Sequence, residues 1–351
     1  MSRTMQATPD RMVENGRIAA FGHFERPFRT INIMEADIFG VGRTGAKLVN
    51  PLRLKEWQHF AVFGPDFLLT FVVLNTHYLA NSFCYFVDRK SGEMIEHHRE
   101  GLPSLAKLAR ELWNDRCSFQ MRGYSIGVHN YLDQNVHTAS IDVAPHQGKP
   151  GILAEVKMHA DLNQYQPLVV VLRLADNRPA YSHKMACPAS GRIRIGERSI
   201  ELDPARCLVL IDVHKAYYPY RMAWRWASCA GFDEQGRVVG LNLTHNVIQD
   251  DEENNENGLW VGRQLSMFGA ARFTFNEQRL TDPWRVETTD GRCQVDFKPE
   301  GERTGVINAG VVYSNYHQPY GTFSGRATDD AGQVHLIKDY FGVTECHKAR
   351  F

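Results

Sequence analysis

An aspartate and a histidine embedded in apolar, strand-like sequence are the residues of this chain best suited to do chemistry. Side chains alternate between the two faces of a strand, so Asp212 and His214 share one face with Leu208 and Leu210. A carboxyl group inside an apolar barrel has its charged form disfavoured, so we expect the pKa of Asp212 to rise and the group to hold a proton near neutral pH. Such an acid can protonate an alkene carbon, and His214 beside it can orient water.

Aromatic side chains close to this pair in sequence could stabilise the cation that forms when an alkene is protonated. A cation over an aromatic face gains about 0.5–2 kcal/mol. The rings of this segment are Trp224, Trp226, Tyr217, Tyr218 and Tyr220. With Asp212 as general acid, the segment predicts a hydratase or isomerase site. The alternative is that Asp212 bonds backbone amides and the rings are core, since barrels commonly bury satisfied polar groups.

Polar side chains recur at strand spacing further along the chain. Such stripes line a cavity or face water, and we expect water, because antiparallel sheets often expose one side. The positions are Asn242, Thr244, Gln318, Tyr320, Thr322 and Ser324. An acidic run at 250–255 precedes Glu256 and Asn257, but Gly258 comes too late for a calcium-binding loop. We therefore expect a solvated loop there.

Charge and hydropathy exclude several classes of partner. Lysine plus arginine equals aspartate plus glutamate, at 40 residues each, so no overall field recruits nucleic acid or an anionic membrane. No apolar run approaches the roughly 20 residues needed for a transmembrane helix. The first residues lack the apolar segment of a secretory signal. Seven singly spaced cysteines indicate reduced thiols and a cytoplasmic protein.

The fifteen histidines do not form a recognisable metal motif. There is no HExxH sequence, and the adjacent pair His97 and His98 would point to opposite faces of a strand. We predict neither a metal nor a cofactor.

Two glycine-containing motifs invite a different interpretation. Residues 40–45 fit GxGxxG, but Pro51 follows soon afterwards, so we expect no helix and no dinucleotide-binding unit. Residues 123–127 fit GxSxG, the nucleophile elbow of α/β-hydrolases, but strand-like sequence continues after Ser125 where that elbow needs a helix.

Short strand-like runs separated by turn residues dominate the chain and predict antiparallel barrels or sandwiches. Apolar residues at helical spacing predict one short helix near residues 104–113. Breaks are expected at 176–179 and at 188–191. We therefore predict a mainly β protein with two antiparallel barrel domains packed together, residues 1–185 and 186–351.

Several segments resemble one bacterial family. They are Arg53–Trp57, Pro188–Gly191, Asp212–Trp226, Glu256–Gly258, His317–Gln318 and Gly321–Gly325. Together they are similar to the domain-of-unknown-function 2804 family, over nearly the whole chain from about Gly22. More distantly, Asp212 followed by a histidine, and then Trp224-Arg225-Trp226, resembles carotenoid 1,2-hydratases and AttH-like proteins, although Val213 intervenes here. The resemblance implies two lipocalin-like (calycin) barrels with an apolar ligand cavity, an architecture shared by fungal Diels–Alderases.

The residues and the resemblance lead to three functional hypotheses. In the first, the protein binds a hydrophobic, unsaturated small molecule of isoprenoid, lipid or polyketide-like kind and acts on it as a cofactor-independent hydratase, isomerase or lyase. In the second it is a lipocalin-like binder or carrier without chemistry. In the third it is a serine hydrolase acting through Ser125. For the first we assign Asp212 and His214 to catalysis. The ligand-binding residues would be Trp224, Trp226, Tyr217, Tyr220, Asn242, Glu256, Asn257, His317 and Gln318.

Overall fold

The computed structural model describes residues 4–246, 251–310 and 312–350, without the side chains of Arg43 and Ala309. The chain forms two compact units. The N-terminal unit comprises Gln6–Val171 and Ala175–Tyr217, and the C-terminal unit comprises Leu172–Leu174, the described part of Tyr218–Phe351 and the few residues before Gln6. The prediction of a mainly β, two-domain lipocalin-like protein is confirmed.

A single curled sheet of antiparallel neighbours forms the N-terminal unit. Its strands, with a separate small pair at the start, are β1 Val13–Glu14, β2 Arg17–Ile18, β3 Gly22–Phe24, β4 Lys55–Gly64, β5 Phe67–Asn75, β6 Ala80–Asp88, β7 Met94–Gly101, β8 Ala106–Lys107, β9 Asp115–Met121, β10 Tyr124–Tyr131, β11 Val136–Val143, β12 Ile152–Met158, β13 Leu168–Ala175, β14 Arg178–Ile195, β15 Arg198–Leu202 and β16 Leu208–Ala216. The main path runs β7-β6-β5-β4-β16-β14-β12-β11-β10-β9-β8, and β8 and β9 return close to β5. The sheet therefore wraps around its own core.

Strand β16 lies in the middle of this sheet, between β14 and β4. Its residues Val209, Ile211 and Val213 belong to the apolar core that the sheet encloses. The pairing of β16 with both neighbours is regular, so Asp212 and His214, which alternate with these residues, lie on the opposite face. The alternation read from the sequence is thus confirmed, but the carboxylate is outside the core of this barrel.

The C-terminal unit is a second curled antiparallel sheet. Its strands are β17 Arg221–Phe232, β18 Val238–His245, β19 Gly258–Val261, β20 Gln264–Met267, β21 Ala271–Thr274, β22 Trp284–Thr288, β23 Cys293–Ala309, β24 Val312–Thr328 and β25 Val334–Arg350. Their order is β20-β19-β18-β17-β25-β24-β23-β22-β21, and β21 approaches β18. Ala227, Cys229 and Leu241 face the enclosed core, so the alternating residues of β17 and β18 lie on the other face.

The structure places the division of the chain after Tyr217, about thirty residues beyond the predicted boundary at 185/186. Residues 180–188 of β14 pair with residues 208–216 of β16, and β16 in turn pairs with β4. A boundary at 185 would cut through this ladder. The predicted break at 188–191 also lies inside β14, where Gly191 adopts a φ of +127° and bends the strand without ending it.

The predicted helix near residues 104–113 is wrong. That segment forms a 3-10 turn at Pro103–Leu105 followed by β8 and irregular chain, and Leu108, Leu112 and Trp113 still reach the core. Apolar residues at helical spacing can be buried by other backbone paths, because periodicity alone does not select among them in a short segment.

The α-helix of the described chain is α1, Gly42–Arg53, which begins inside the GxGxxG motif at residues 40–45, where no helix was expected. The carboxylate of Asp37 accepts hydrogen bonds from the backbone N–H groups of Val41 and Gly42, at 2.9 and 2.8 Å, and so stabilises the helix start. Pro51 is tolerated in the last turn. Since α1 leads into β4, whose neighbours β5 and β16 are antiparallel to it, the motif is not part of a βαβ unit.

Gly342 in β25 leaves no room for a side chain, because a Cβ atom there would lie 2.0 Å from the carbonyl oxygen of Ser228 on β17. We predict that Gly342→Ala lowers the free energy of unfolding by about 2–3 kcal/mol, since backbone would have to move. Gly127 on β10, with no atom within 4 Å of such a Cβ, is the matched control. Gly127→Ala should be neutral or slightly stabilising. Equal urea midpoints for the two variants would contradict this assignment.

Candidate functional site

Asp212 forms a buried ion pair on the non-core face of the N-terminal sheet. The Nζ atom of Lys184 on β14 lies 2.7 Å from its Oδ1 atom, and the two side chains are only 5% and 8% exposed. Trp57 on β4 donates from its indole Nε1 to the other carboxylate oxygen at 3.1 Å. The Trp57 ring stacks on His214, with 4.3 Å between ring centroids and 12° between planes. Strand register alone brings these residues together.

The expectation that Asp212 is protonated near neutral pH is wrong. Burial by itself raises the pKa of the Asp212 carboxyl, but the Lys184 ammonium, with contributions from His214 and His59, outweighs it and lowers the pKa below its usual value. Asp212 is therefore an ionised carboxylate at neutral pH. In this state it can accept a proton or stabilise a positive charge, but it cannot donate a proton.

A second group of polar residues lies on the core side of the same sheet. Glu56 on β4 accepts from Lys215 and pairs with His77, whose Nε2 lies 2.9 Å away. Burial raises the pKa of Glu56, but Lys215 and His77 lower it to about 2. Glu56 and Trp57 were not among the predicted site residues. Both belong to the segment 53–57, one of those that resemble the family, and this resemblance is the sequence signal that could have identified them. Tyr217 packs in an apolar cluster near them and donates to the backbone oxygen of Ile33 at 3.0 Å.

Two histidines of the N-terminal unit are held neutral by burial. The pKa of His183 and that of His137 are each lowered to about 3, mainly because no water reaches the rings. Within the part of the chain that the structure describes, neither ring nitrogen of His183 has a hydrogen-bond partner. The sequence does not single these residues out, because their environment is formed by strands distant in the chain.

In the C-terminal unit, Glu345 on β25 occupies a position comparable to that of Asp212. Trp224 donates from its indole nitrogen to the carboxylate at 2.8 Å, Gln318 donates from its amide at 2.8 Å, and the hydroxyl of Tyr316 donates at 2.5 Å. His347 lies against Trp224, with 4.2 Å between ring centroids. Trp224 and Gln318 were predicted site residues, whereas Glu345 was not, because nothing near it in sequence suggests a partner.

His347 has little capacity to titrate at physiological pH. Burial, with the nearby His317 contributing, lowers its pKa to about 3, and its Nε2 lies 2.8 Å from the hydroxyl of Ser314. The predicted site residue His317 pairs instead with Glu302, at 2.6 Å from its Nδ1.

Four predicted site residues meet in one hydrogen-bonded network. The indole of Trp226 donates to Asn242 at 2.7 Å, and Asn242 donates to the backbone oxygen of Glu256 at 2.6 Å. Asn257 accepts from the backbone N–H of Thr244 at 2.6 Å. All five residues are buried, so the expectation of solvent at Asn242 and Thr244 is wrong. These bonds attach the segment before β19 to β18.

The remaining predicted positions differ in exposure and in the unit to which they belong. Tyr220 is 43% exposed, and Ser324 is exposed as the solvent-facing interpretation expects. Gln318 is fully buried. Asp212, His214 and Tyr217 belong to the N-terminal unit, whereas the other predicted ligand-binding residues belong to the C-terminal unit.

Ser125 lies within β10, paired on both sides by β9 and β11, and not at a strand-to-helix turn. Nor does the described part of the chain contain a cluster of three or more histidine, cysteine, aspartate or glutamate side chains that could hold a metal ion. No helix among the described residues is long and apolar enough to cross a bilayer.

Comparison with known protein families agrees with the segments singled out in the sequence. The profile described as Domain of unknown function (DUF2804) matches residues 3–351. The chain belongs to this family. A comparison of this chain with curated proteins found no match.

Solved structures with a similar fold share little sequence with this DUF2804 member. CghA with Sch210972 aligns at 9% identity and a TM-score of 0.50, covering 86% of this chain and 89% of CghA. CghA alone gives 10% identity and the same TM-score and coverage. Kievitone hydratase from Nectria haematococca aligns at 9% identity over 85% of this chain and 88% of its own, with a TM-score of 0.47. At these identities, the likeness to CghA establishes the fold only.

Removing Lys184 should expose the cost of burying Asp212. We predict that Lys184→Met lowers the free energy of unfolding by about 3–5 kcal/mol, because it leaves a buried carboxylate without its counter-charge. The double variant Lys184→Met/Asp212→Leu should recover most of that loss. As a control, Lys348→Met removes an exposed ion pair and should change stability by less than about 1 kcal/mol. A double variant no more stable than the single variant in urea would contradict the ion-pair interpretation.

The lowered pKa of Asp212 also predicts a pH dependence of stability. A carboxyl whose folded pKa is depressed contributes stability above its unfolded pKa of about 3.9 and loses that contribution as pH falls through the folded value. Urea unfolding from pH 7 down to about pH 2 should therefore show, below about pH 4, a steeper loss of stability in the wild type than in Asp212→Asn. Parallel curves would show that Asp212 has the same pKa in both states.

Proposed function

We propose that this protein binds a hydrophobic, unsaturated small molecule of isoprenoid, lipid or polyketide-like kind and acts on it as a cofactor-independent hydratase, isomerase or lyase. The observation that carries the proposal is the ion pair of Lys184 and Asp212, buried beside Trp57 and His214. Removing two charges from water costs several kcal/mol per ion, and apolar residues in their place are often as stabilising. Buried ionisable groups with displaced pKa values are candidates for functional sites.

The ion pair suggests that Lys184, and not Asp212, donates the proton to the substrate, and that Asp212 accepts one. An ammonium group, with an ordinary pKa of about 10.4, is too weak an acid to protonate an isolated alkene. An alkene conjugated with a carbonyl is a better match, because its oxygen can accept a hydrogen bond and then the proton of Lys184. Asp212 would take the proton from the attacking water, or from carbon in an isomerisation. Asp212 would then deliver this proton to the α-carbon of the enol, and the enol oxygen would return its proton to Lys184 as the carbonyl re-forms, so that both groups are restored.

The C-terminal unit carries, on its own non-core face, a second arrangement suited to holding a ligand. Trp224 and Gln318 converge there on the Glu345 carboxylate, which offers a polar anchor beside an apolar ring. CghA, which has the same fold, has been solved with Sch210972, and this supports a bound ligand. A similar fold does not identify the compound that this protein binds.

The second candidate is a ligand-binding or carrier protein without chemistry. It is favoured by the fact that Lys184 and Asp212 neutralise each other at 2.7 Å, an arrangement that also suits a static polar contact. Either function is compatible with a reducing cytoplasm, since all seven cysteines are buried and form no disulfide.

Mass spectrometry of an organic extract of the purified protein would identify the compound that it retains. That compound would then be incubated with the protein in D₂O. We predict that the wild type incorporates deuterium or adds water, and that Asp212→Asn reduces the rate by at least about a hundredfold, the contribution of one general acid–base group. The matched control is Asp296→Asn, an aspartate whose side chain is 66% exposed, and it should behave as the wild type.

The outcomes separate the candidates. Retention of a compound with no isotope exchange in any protein would support the carrier. Exchange that survives unchanged in Asp212→Asn would remove this residue from the chemistry, and a protein that retains no compound would refute both functions.

A further inference from the structure

Helix α1 presents an apolar stripe to solvent in addition to the side that it buries. Ala46 and Asn50 face the N-terminal unit and are almost fully buried. Val41 at the helix start, Leu48 and Leu52 follow each other at i, i+7 and i+11 and are 50%, 74% and 62% exposed. A surface helix ordinarily turns its apolar stripe towards the core. This helix therefore carries apolar surface that its own fold does not use.

Other exposed rings extend the stripe. Phe39, just before the helix, is 49% exposed, and Tyr78 is 37% exposed. The Nζ atom of Lys55 donates to the backbone oxygen of Leu52 at 3.3 Å and lies 4.8 Å from the centroid of the Tyr78 ring. Tyr78 is thus close to the end of α1. We call the exposed side chains of Phe39, Val41, Leu48, Leu52 and Tyr78 the α1 patch.

The charged residues of α1 itself are all basic. They are Arg43, Lys47 and Arg53, although the whole chain has equal numbers of basic and acidic residues. The neighbouring Lys55 is only 3% exposed, and the Asp37 carboxylate is bonded to the backbone N–H groups of Val41 and Gly42. Lys47 is exposed next to Leu48. Any attraction to an anion is therefore local to this segment and does not arise from the overall field.

This combination selects among possible partners. A second copy docking through the same patch about a two-fold axis would bring like charges together, which opposes association. A helix with exposed aliphatic and aromatic side chains and flanking cations has the composition of one that lies in the interface of an anionic bilayer. Each lysine or arginine near such a surface contributes about 1 kcal/mol of attraction.

We propose that the α1 patch docks this protein on an anionic membrane surface, with its apolar side chains in the headgroup boundary and Lys47 at the level of the lipid phosphates. This inference does not depend on the proposed function. A hydrophobic ligand would be exchanged readily at such a surface, but docking stands on the exposed side chains and charge of α1 alone.

Vesicle sedimentation tests the proposal. The full chain is mixed with vesicles of phosphatidylcholine alone and with vesicles containing phosphatidylglycerol. The wild type should partition onto the anionic vesicles, less onto the neutral ones, and less at high salt. Leu48→Ser/Leu52→Ser should weaken partition by at least about tenfold, since two leucine side chains no longer enter the boundary. Lys47→Glu should weaken it by about fivefold or more on anionic vesicles only.

The matched control is Leu336→Ser, because Leu336 is an exposed leucine of the C-terminal unit whose 57% exposure is close to that of Leu52. It should bind as the wild type. Thermal unfolding checks that each variant is folded, and Lys47→Glu carries the test if the double serine variant is not. The proposal is overturned if the wild type binds neither vesicle or if Leu336→Ser loses as much binding. It is also overturned if light scattering shows a wild-type oligomer that the patch variants dissociate, since the patch would then be an interface between copies.

Discussion

Both units share one constraint: where the middle strand of each curled sheet carries a carboxylate, both faces of the strand are buried. In the N-terminal unit, β16 packs Val209, Ile211 and Val213 into the enclosed core and leaves Asp212 on the other face, where it is also buried. In the C-terminal unit, β25 does the same with Glu345. A charge in such a place must find partners, because an unpaired buried carboxylate would be too costly. Each carboxylate has therefore acquired an indole N–H donor, and Asp212 an ammonium group as well.

The ion pair changes the chemistry open to the site. Burial and a neighbouring positive charge act on the pKa of a carboxyl in opposite directions, and at Asp212 the neighbouring charge prevails. Among the described residues, His137, His183 and His347 have no ion-pair partner comparable to Lys184. Burial dominates at His137, His183 and His347, and all three are neutral. The described interior therefore combines an ionised Asp212 with these three uncharged imidazoles.

Strands could be predicted from this sequence because the alternation of side chains between the two faces of a strand is a local property of the sequence. It does not depend on which face is buried. The alternation of core and non-core residues in β16 follows from it. The helix could not be predicted, since α1 begins with backbone N–H groups bonded to Asp37, four and five residues earlier, and contains Pro51. Solvent was expected at Asn242 because a polar residue on a strand usually faces water. Its burial depends on the segment around Glu256 folding over it.

By itself the sequence determined the β architecture, the family and the presence of an acid and indoles on alternating positions, because these are set by side-chain type and spacing. Tertiary structure alone decided the protonation state and partners of that acid. Lys184 is 28 residues from Asp212, and Trp57 is 155 residues away. Sheet pairing brings both to hydrogen-bonding distance, where Coulomb attraction exceeds the effect of desolvation. No pattern along the chain encodes that distance.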